Sequence, residues 1–317
     1  MKTLLKMTVA AAALAAAFPA LAQEEYPNKT IEVITHAGAG GGTDVTTRMM
    51  MIRGRRALGQ DMVVVNKRGG AGIVAMNYFN DNIDDDHLLM TFTSGHAIQM
   101  AAGKTPLAME DMRPIARGTD DPQIFMTTCD SDYNSPQKLV DAMKAGAIKF
   151  GTANLGDIDQ LSTYVFAKEG GLTQPTIVPF SGGGEVATQL VAGSVDVGVL
   201  NLSEAQSQIE AGDICPQIIL SENAMEVIPD ATTSHALGIP VSFSTIRGFV
   251  APATISDEKA AMLEEKLMEA MGHSVYQAYL TSVGLDAGSV VGAEEWGKQM
   301  SDMVSAMGPA LDELGLK

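Results

Sequence analysis

Short apolar segments alternate with helix-like segments along most of this chain, and this alternation restricts the fold more than any other feature of the sequence. We predict strands at Ile31 to Thr35, Met62 to Val65, Leu88 to Phe92, Ile124 to Thr128, Ile148 to Thr152, Thr176 to Pro179, Val195 to Val199 and Gln217 to Leu220. We predict helices at Thr43 to Leu58, Pro136 to Ala145, Gln160 to Glu169, Gly184 to Ala192, Asp257 to Met271 and Glu294 to Met307. Such an alternation favours an α/β fold with mainly parallel sheets, because parallel neighbours need a crossover connection.

The length and charge of the chain restrict its domain organisation and its partners. A chain of 317 residues is long enough for two domains. The formal net charge of −17 opposes contact with nucleic acid and with anionic lipid surfaces, so we predict neither as a partner. Local donors must hold any anionic ligand, because the overall field opposes its approach.

Residues 1–22 have the pattern of a cleaved secretory leader. Lys2 and Lys6 precede an apolar run from Met7 to Phe18, and Ala20-Leu21-Ala22 supplies a small-x-small cleavage site. The run is shorter than the ~20 apolar residues that a membrane-spanning helix needs. We therefore expect export to the bacterial periplasm without insertion of the mature protein into the membrane.

Export makes a disulfide possible between Cys129 and Cys215, the two cysteines of the chain. The alternative is a pair of buried thiols. The sequence leaves both open, because it does not give the separation of the two Cα atoms.

A glycine-rich loop, Gly38-Ala39-Gly40-Gly41-Gly42-Thr43-Asp44, joins the first predicted strand to the first predicted helix. Glycines allow several backbone N–H groups to converge, and the start of a helix adds further unpaired N–H donors, so the loop suits a carboxylate or phosphate. Asp44 has two interpretations: it caps the helix, or it bonds an ammonium or hydroxyl group of a ligand. The spacing does not match the G-x-G-x-x-G pattern of dinucleotide-binding loops.

Two later loops have similar chemistry. Thr152 to Asp157 and Pro179 to Gly184 each follow a predicted strand and precede a helix. The carboxyl ends of parallel strands are where open α/β sheets bind ligands, so the three loops together predict one binding site. The alternative is that they are ordinary tight turns.

Sequence signatures of catalysis are missing. There is no G-x-S-x-G, no H-E-x-x-H and no C-x-x-C motif, and the five histidines form no metal-ligand pattern. His36 and His96 stand close to the predicted loops, but a lone histidine there is more often a plain hydrogen-bonding group. We predict no catalytic residue, no metal and no cofactor.

The order of several short motifs resembles one known family, the substrate-binding proteins of tripartite tricarboxylate transporters, also called Bug-type receptors. The motifs cover the chain from Tyr26 to near its C-terminus. They are Tyr26-Pro27, Ala39-Gly40-Gly41-x-Thr43-Asp44, Val63-Val64-Val65-Asn66-x-Arg68-x-Gly70-Ala71-Gly72, Val178-Pro179-Phe180-x-Gly182-Gly183 and Gly248-Phe249-x-Ala251-Pro252.

The resemblance implies a two-lobed periplasmic binding protein of the type II-like class that closes about a hinge, a Venus flytrap. Lobe 1 would comprise residues 23–122 and 243–317, and lobe 2 residues 123–242. The implied role is capture of a small organic acid or amino acid for integral membrane permease subunits. The alternatives are a ligand receptor for a periplasmic sensor kinase and a secreted α/β enzyme acting on small acids.

The candidate ligand-binding residues belong to the loops already described, to the end of the strand at Leu88 to Phe92 and to a position in the second lobe. They are Ala39, Gly40, Gly41, Thr43, Asp44, Thr93, Ser94, Thr152, Ala153, Asn154, Gly156, Asp157, Ser181, Gly182 and Asn201.

The chain departs from the family pattern at several of these loops. His36 and Ala37 replace a proline and an aromatic residue, and Ile246 replaces a tryptophan. Asp157 and Asp159 replace serine-like residues and would repel a second ligand carboxylate, so we predict a monoanionic or zwitterionic ligand in preference to a tricarboxylate. The alternative is that Asp159 caps its helix and Asp157 faces solvent.

Overall fold

The computed structural model describes residues 26–315 of the chain, except residues 147 and 154. The predicted leader and Asn154 therefore lie outside the described residues. None of the helices in the described part of the chain combines the length and the apolar character needed to cross a lipid bilayer.

Strands and helices alternate along the described residues. The strands are β1 (Ile31–Thr35), β2 (Met62–Asn66), β3 (Leu88–Thr93), β4 (Met112–Pro122), β5 (Ile124–Thr128), β6 (Lys149–Ala153), β7 (Thr176–Phe180), β8 (Val197–Leu200), β9 (Ile214–Ile219), β10 (Thr232–Thr233), β11 (Ser244–Pro252) and β12 (Val291–Gly292). The helices are α1 (Gly42–Met50), α2 (Gly54–Leu58), α3 (Ile73–Asp81), α4 (Ser94–Ala101), α5 (Pro136–Ala145), α6 (Ile158–Glu169), α7 (Gly183–Val191), α8 (Gln206–Ala211), α9 (Asp257–Gly272), α10 (Ser274–Ser282) and α11 (Ala293–Leu314).

The strands form two six-stranded sheets, in the orders β12-β4-β11-β3-β1-β2 and β10-β9-β5-β8-β6-β7. The α/β fold class is confirmed, but each sheet is mixed. The strands β1 and β6 are parallel to both of their neighbours, whereas β11 and β5 are antiparallel to both of theirs. The antiparallel pairs occur where the chain changes sheets. It enters the second sheet directly from β4 into β5 and returns to the first sheet at β11, and neither connection contains the crossover helix that joins parallel neighbours.

Helices cover both faces of each sheet and bury one apolar cluster on each face. In the first sheet, the stripe on α9 that includes Leu263 and Leu267 packs on one face, and Trp296 and Met300 of α11 pack on the other. These four side chains are fully buried, so both helices contribute to the core around the first sheet.

The helix predicted from Thr43 to Leu58 is instead two helices, α1 and α2. The helical conformation stops after Met50 and resumes at Gly54, which lies directly against the Sδ atom of Met62, where there is no room for a Cβ. A second unpredicted feature is α4, which begins at Ser94, immediately after the end of β3. The Thr93 backbone N–H donates to the His96 ring, and this contact starts the helix.

Cys129 and Cys215 form a disulfide, with Cα atoms 5.0 Å apart, so the alternative of two thiols is excluded. Cys215 lies on β9 and Cys129 follows β5, its antiparallel neighbour. The other end of β5, at Ile124, pairs with Leu200 of β8. The disulfide therefore ties the end of the second sheet that lies away from Leu200.

Candidate functional site

A cavity of about 760 Å³ lies between the two sheets. Its wall combines loops that follow β1, β2 and β3 of the first sheet with loops that follow β6, β7 and β8 of the second. These six strands include the parallel part of each sheet, and their carboxyl ends meet at the cavity. The three loops singled out in the sequence all contribute to its wall.

Two helices begin at the cavity wall with glycine at the N-cap. Gly41 precedes α1 and Gly182 precedes α7, and neither helix has a side-chain cap. The first N–H groups of a helix have no partner within the helix, and the macrodipole makes this end positive. Two uncapped helix starts, one from each sheet, therefore supply neutral donors for an anionic group inside a protein of negative net charge.

Arg247 on β11 is the buried cation of the cavity wall, with 2 % of its surface exposed. Its Nε donates to Thr43 Oγ1 at 3.1 Å, which places the guanidinium beside the start of α1. The contacts of its terminal nitrogens to Asp121 Oδ2 and Asn201 Oδ1 are longer, at 3.4 and 3.5 Å. These lengths exceed those of a strong charge-assisted hydrogen bond, so Arg247 retains donor capacity for a ligand.

Four carboxylates from the segments that follow strands of the second sheet also line the cavity: Asp157, Asp159, Glu185 and Glu204. Burial raises the pKa of Asp159 well above its usual range, and the charges of Glu204 and Asp157 raise it further. Burial also raises the pKa of Glu204. An acidic wall of this kind favours a ligand that carries at most one uncompensated negative charge.

Neither aspartate has the structural role considered for it in the sequence. Asp157 caps α6 by accepting a hydrogen bond from the Ile158 N–H at 2.7 Å. Asp159 is buried in the first turn, where its Oδ2 accepts from the Ala153 N–H at 2.7 Å. The interpretation that Asp159 caps the helix while Asp157 faces solvent is wrong, because Asp157 is only 9 % exposed.

Two histidines pack together at the edge of the cavity. The rings of His36 and His96 meet edge to face with centroids 4.6 Å apart, and His36 lines the cavity. Burial lowers the pKa of both, that of His36 to about 4, so both rings are neutral at pH 7. His96 Nδ1 accepts from the Thr93 N–H, which places the ring proton on Nε2.

Eight of the fifteen predicted ligand residues line the cavity: Gly41, Thr43, Thr93, Ala153, Asp157, Ser181, Gly182 and Asn201. Six others lie outside its wall: Ala39, Gly40, Asp44, Ser94, Thr152 and Gly156. The structure thus brings together residues of all three loops, but only some positions of each loop face the cavity.

Asp44 neither caps α1 nor lines the cavity. Gly41 is the N-cap of the helix, and the buried Asp44 carboxylate accepts hydrogen bonds from Arg48, Asn66 and the Gly40 N–H. Asp44 therefore fixes the shape of the first glycine loop. Its bonds to three groups also explain why it does not point to a ligand.

Two more of the six residues are held by contacts within the protein. Ser94 Oγ donates to the Ser244 carbonyl and accepts from the Ile246 N–H, so it joins α4 to β11. Gly156 donates its N–H to Gln160 Oε1 and accepts from Gln99 at its carbonyl. These contacts lie outside the cavity wall and support its shape.

Several cavity residues are absent from the predicted set. They are His36, Ala37, Gly38, Gly42, Arg68, Gly69, Gly70, Ala71, Gly72, Gly95, Ile158, Asp159, Phe180, Gly183, Gly184, Glu185, Glu204, Thr245 and Arg247. Two of these omissions could have been found from the sequence. Arg68 to Gly72 belong to a motif of the family resemblance, and Asp159 is a departure from the family pattern. Glu204 and Arg247 carried no local pattern, because only the packing of the two sheets brings them to the cavity.

Comparison with known proteins places the chain within a recognised group. A sequence model of the tripartite tricarboxylate transporter family receptor matches residues 47–316. A protein of the UPF0065 group from Bordetella pertussis is 25 % identical over 320 residues, covering 99 % of this chain and 98 % of that protein.

Solved structures show the same fold. The periplasmic binding protein BugD aligns with a TM-score of 0.81 at 19 % identity, covering 92 % of this chain and 99 % of that one. MatC of Rhodopseudomonas palustris with bound malate aligns with a TM-score of 0.78 at 21 % identity, covering 90 % of this chain and 100 % of that one. The two-lobed fold that the resemblance implied is thereby confirmed.

Proposed function

The chain belongs to the receptor family of tripartite tricarboxylate transporters, and from that premise we propose that it is a periplasmic solute-binding protein that captures a small carboxylate-bearing ligand. The ligand is a small organic acid or an amino acid, and the protein delivers it to integral membrane permease subunits. Residues 1–22 act as the cleaved leader that directs the chain to the periplasm.

One observation carries this proposal: two uncapped helix starts, of α1 and α7, face one cavity from opposite sheets. The buried guanidinium of Arg247 lies beside the first of them. Neutral N–H donors and a single buried cation suit a carboxylate. The malate bound by MatC, a protein of the same fold, supports a carboxylate as the ligand class.

The two sheets correspond to two lobes, which we propose comprise residues 23–122 with 243–317 and residues 123–242. The chain passes between the sheets at Gln123 and again at Phe243, where the Gln123 N–H donates to the Phe243 carbonyl at 2.8 Å. A hinge at these paired crossings would let the lobes close over the cavity. Membership of a transporter receptor family supports transport over the sensor-kinase and enzyme alternatives.

A thermal-shift panel of mono-, di- and tricarboxylates and amino acids tests the proposed function. A specific ligand at 100 times its Kd should stabilise the protein by about 2.7 kcal/mol, which raises the Tm by roughly 5 °C for a chain of this size. Mass spectrometry of acids released from the purified protein should identify the same compound. If no acid raises the Tm, the proposed function is wrong.

A further inference from the structure

Two carboxylates of the cavity wall, those of Asp157 and Glu204, are packed against glycines. A Cβ on Gly95 would lie 2.9 Å from Asp157 Oδ1, and a Cβ on Gly183 would collide with the carboxylate of Glu204. Gly42, at the start of α1, leaves similar room for Glu204 Oε1. The glycines of both sheets therefore let acidic side chains of the second sheet come close to the ligand space.

Asp159 and Glu204 accept hydrogen bonds from neutral backbone groups. Asp159 accepts from the Ala153 N–H at 2.7 Å, and Glu204 accepts from the Asn201 N–H at 3.0 Å. Neither Asp159 nor Glu204 has a basic group within ion-pair distance among the described residues. The protein thus orients both carboxylates without pairing their charge.

The buried cation beside them is already shared. Arg247 lies 3.4 Å from Asp121 Oδ2, and Asp121 is only 3 % exposed. The second oxygen of Asp121, Oδ1, is buried and has no hydrogen-bond partner in the described part of the chain. The charge of this one buried guanidinium acts on Asp121, Asp159 and Glu204. The other arginine of the cavity wall, Arg68, is exposed, so the buried part of the site has more acidic than basic side chains.

We infer that Asp157, Asp159 and Glu204 form a subsite for a cationic group of the ligand, so that the ligand is an ammonium-bearing carboxylate, an amino acid in the simplest case. This inference rests on the proposed carboxylate-binding function and narrows it. Glu204 lies at the starts of α1 and α7, so the ligand ammonium and the ligand carboxylate bind side by side there, as the neighbouring groups of an α-amino acid do. The ammonium supplies positive charge to the acidic side chains, while the carboxylate takes the N–H groups of the helix starts and Arg247. An ammonium group offers three donors, which suits several carboxylates at once.

Matched ligand pairs that differ in the ammonium group test this subsite. Calorimetric titrations with EDTA present should compare L-alanine with propionate, L-aspartate with succinate, and L-glutamate with glutarate. The amino acid of the best-bound pair should bind about 10- to 100-fold more tightly, the range expected for a hydrogen bond to a charged group.

The outcomes separate this inference from the proposed function. If the desamino acids bind as tightly as the amino acids, or bind tightly only when Ca²⁺ replaces EDTA, the ammonium subsite is wrong and carboxylate binding stands. If neither member of any pair binds and the wider acid panel also fails, both proposals are wrong.

Variants that keep the shape of a carboxylate side chain but remove its charge test which residues cause the preference for the amino acid. Asp159→Asn and Glu204→Gln should each reduce the preference for the amino acid at least 10-fold, whereas Glu210→Gln, an exposed residue on α8, should leave it unchanged. Unchanged preference in both cavity variants would overturn the assignment. Each variant's Tm confirms that it folds, and because both changes remove a buried charge, the Tm should not fall sharply.

The pH dependence gives a readout that a structural role would not produce. Burial holds the pKa of Asp159 and of Glu204 above the usual range, and that of Asp121 at about 7. An ammonium favours their ionised forms, so affinity for the amino acid should rise with pH and binding should release protons. Proton uptake on binding would contradict the assignment.

Discussion

Replacing Arg247 with methionine should weaken binding of the carboxylate ligand by about 100-fold or more. Arg247 is the buried cation of the cavity wall, and its guanidinium lies beside the start of α1. Removing one partner of a buried charged contact costs roughly 2–5 kcal/mol of binding free energy. The loss should exceed any loss of stability, because Asp121, whose pKa burial raises to about 7, can take up a proton when its partner is removed.

Arg117→Met is the matched control for this prediction. Arg117 is also a buried arginine, but it donates to the carbonyls of Ser289 and Gly288 and does not line the cavity. This control should lose stability and keep its affinity. Equal affinities for the two variants, measured by calorimetry below both melting temperatures, would show that Arg247 does not contact the ligand.

Removing the disulfide with Cys129→Ser and Cys215→Ser should lower the free energy of unfolding by about 4–5 kcal/mol. The two cysteines are 86 residues apart in sequence, and closing a loop of this length restricts the unfolded chain strongly. Urea unfolding of the double variant and of the oxidised protein measures the difference. The reduced wild-type protein is the control and should resemble the variant.

Ligand affinity should be the same with and without the disulfide. The bond ties the end of β5 and β9 that lies away from Leu200, whereas Asn201, the residue after Leu200, lines the cavity. For the stability prediction, a difference of less than ~1 kcal/mol in unfolding free energy between the double variant and the oxidised protein would contradict it, because the unfolded chain would then be restricted without the disulfide. A large change in affinity would place the disulfide in the binding mechanism.

Local sequence patterns predicted much of the fold, because strands, helix starts and glycine turns depend on nearby residues. The strand at Ile31 to Thr35 and the helix at Pro136 to Ala145 have the predicted bounds. The break before Gly54 was not predictable in this way. Gly54, where the helix resumes, packs against Met62 and Leu267, and Leu267 is remote in sequence.

In the candidate site, too, the residues set by local sequence were predictable and those brought in by long-range packing were not. The glycine loops were visible because a strand-to-helix turn that binds an anion needs glycine locally. Arg247 and Glu204 reach the cavity only because β11 returns to the first sheet and the turn after β8 faces α1 and α7. Asp44 was a candidate ligand residue because it is a polar residue in a glycine loop. Its carboxylate instead stabilises the loop by accepting a hydrogen bond from the Gly40 N–H.

A comparison of Gly184→Asp with Gly184→Asn tests most directly whether the ligand carboxylate lies at the helix starts. Gly184 is the second residue of α7, lines the cavity and has open space where a Cβ would lie, so both side chains fit. The aspartate adds a negative charge where the ligand anion is proposed to bind, whereas asparagine adds the same shape without charge. Calorimetric titration with the best ligand of the thermal-shift panel should give at least about 10-fold weaker binding for Gly184→Asp than for Gly184→Asn. Equal affinities for the two variants would contradict the account.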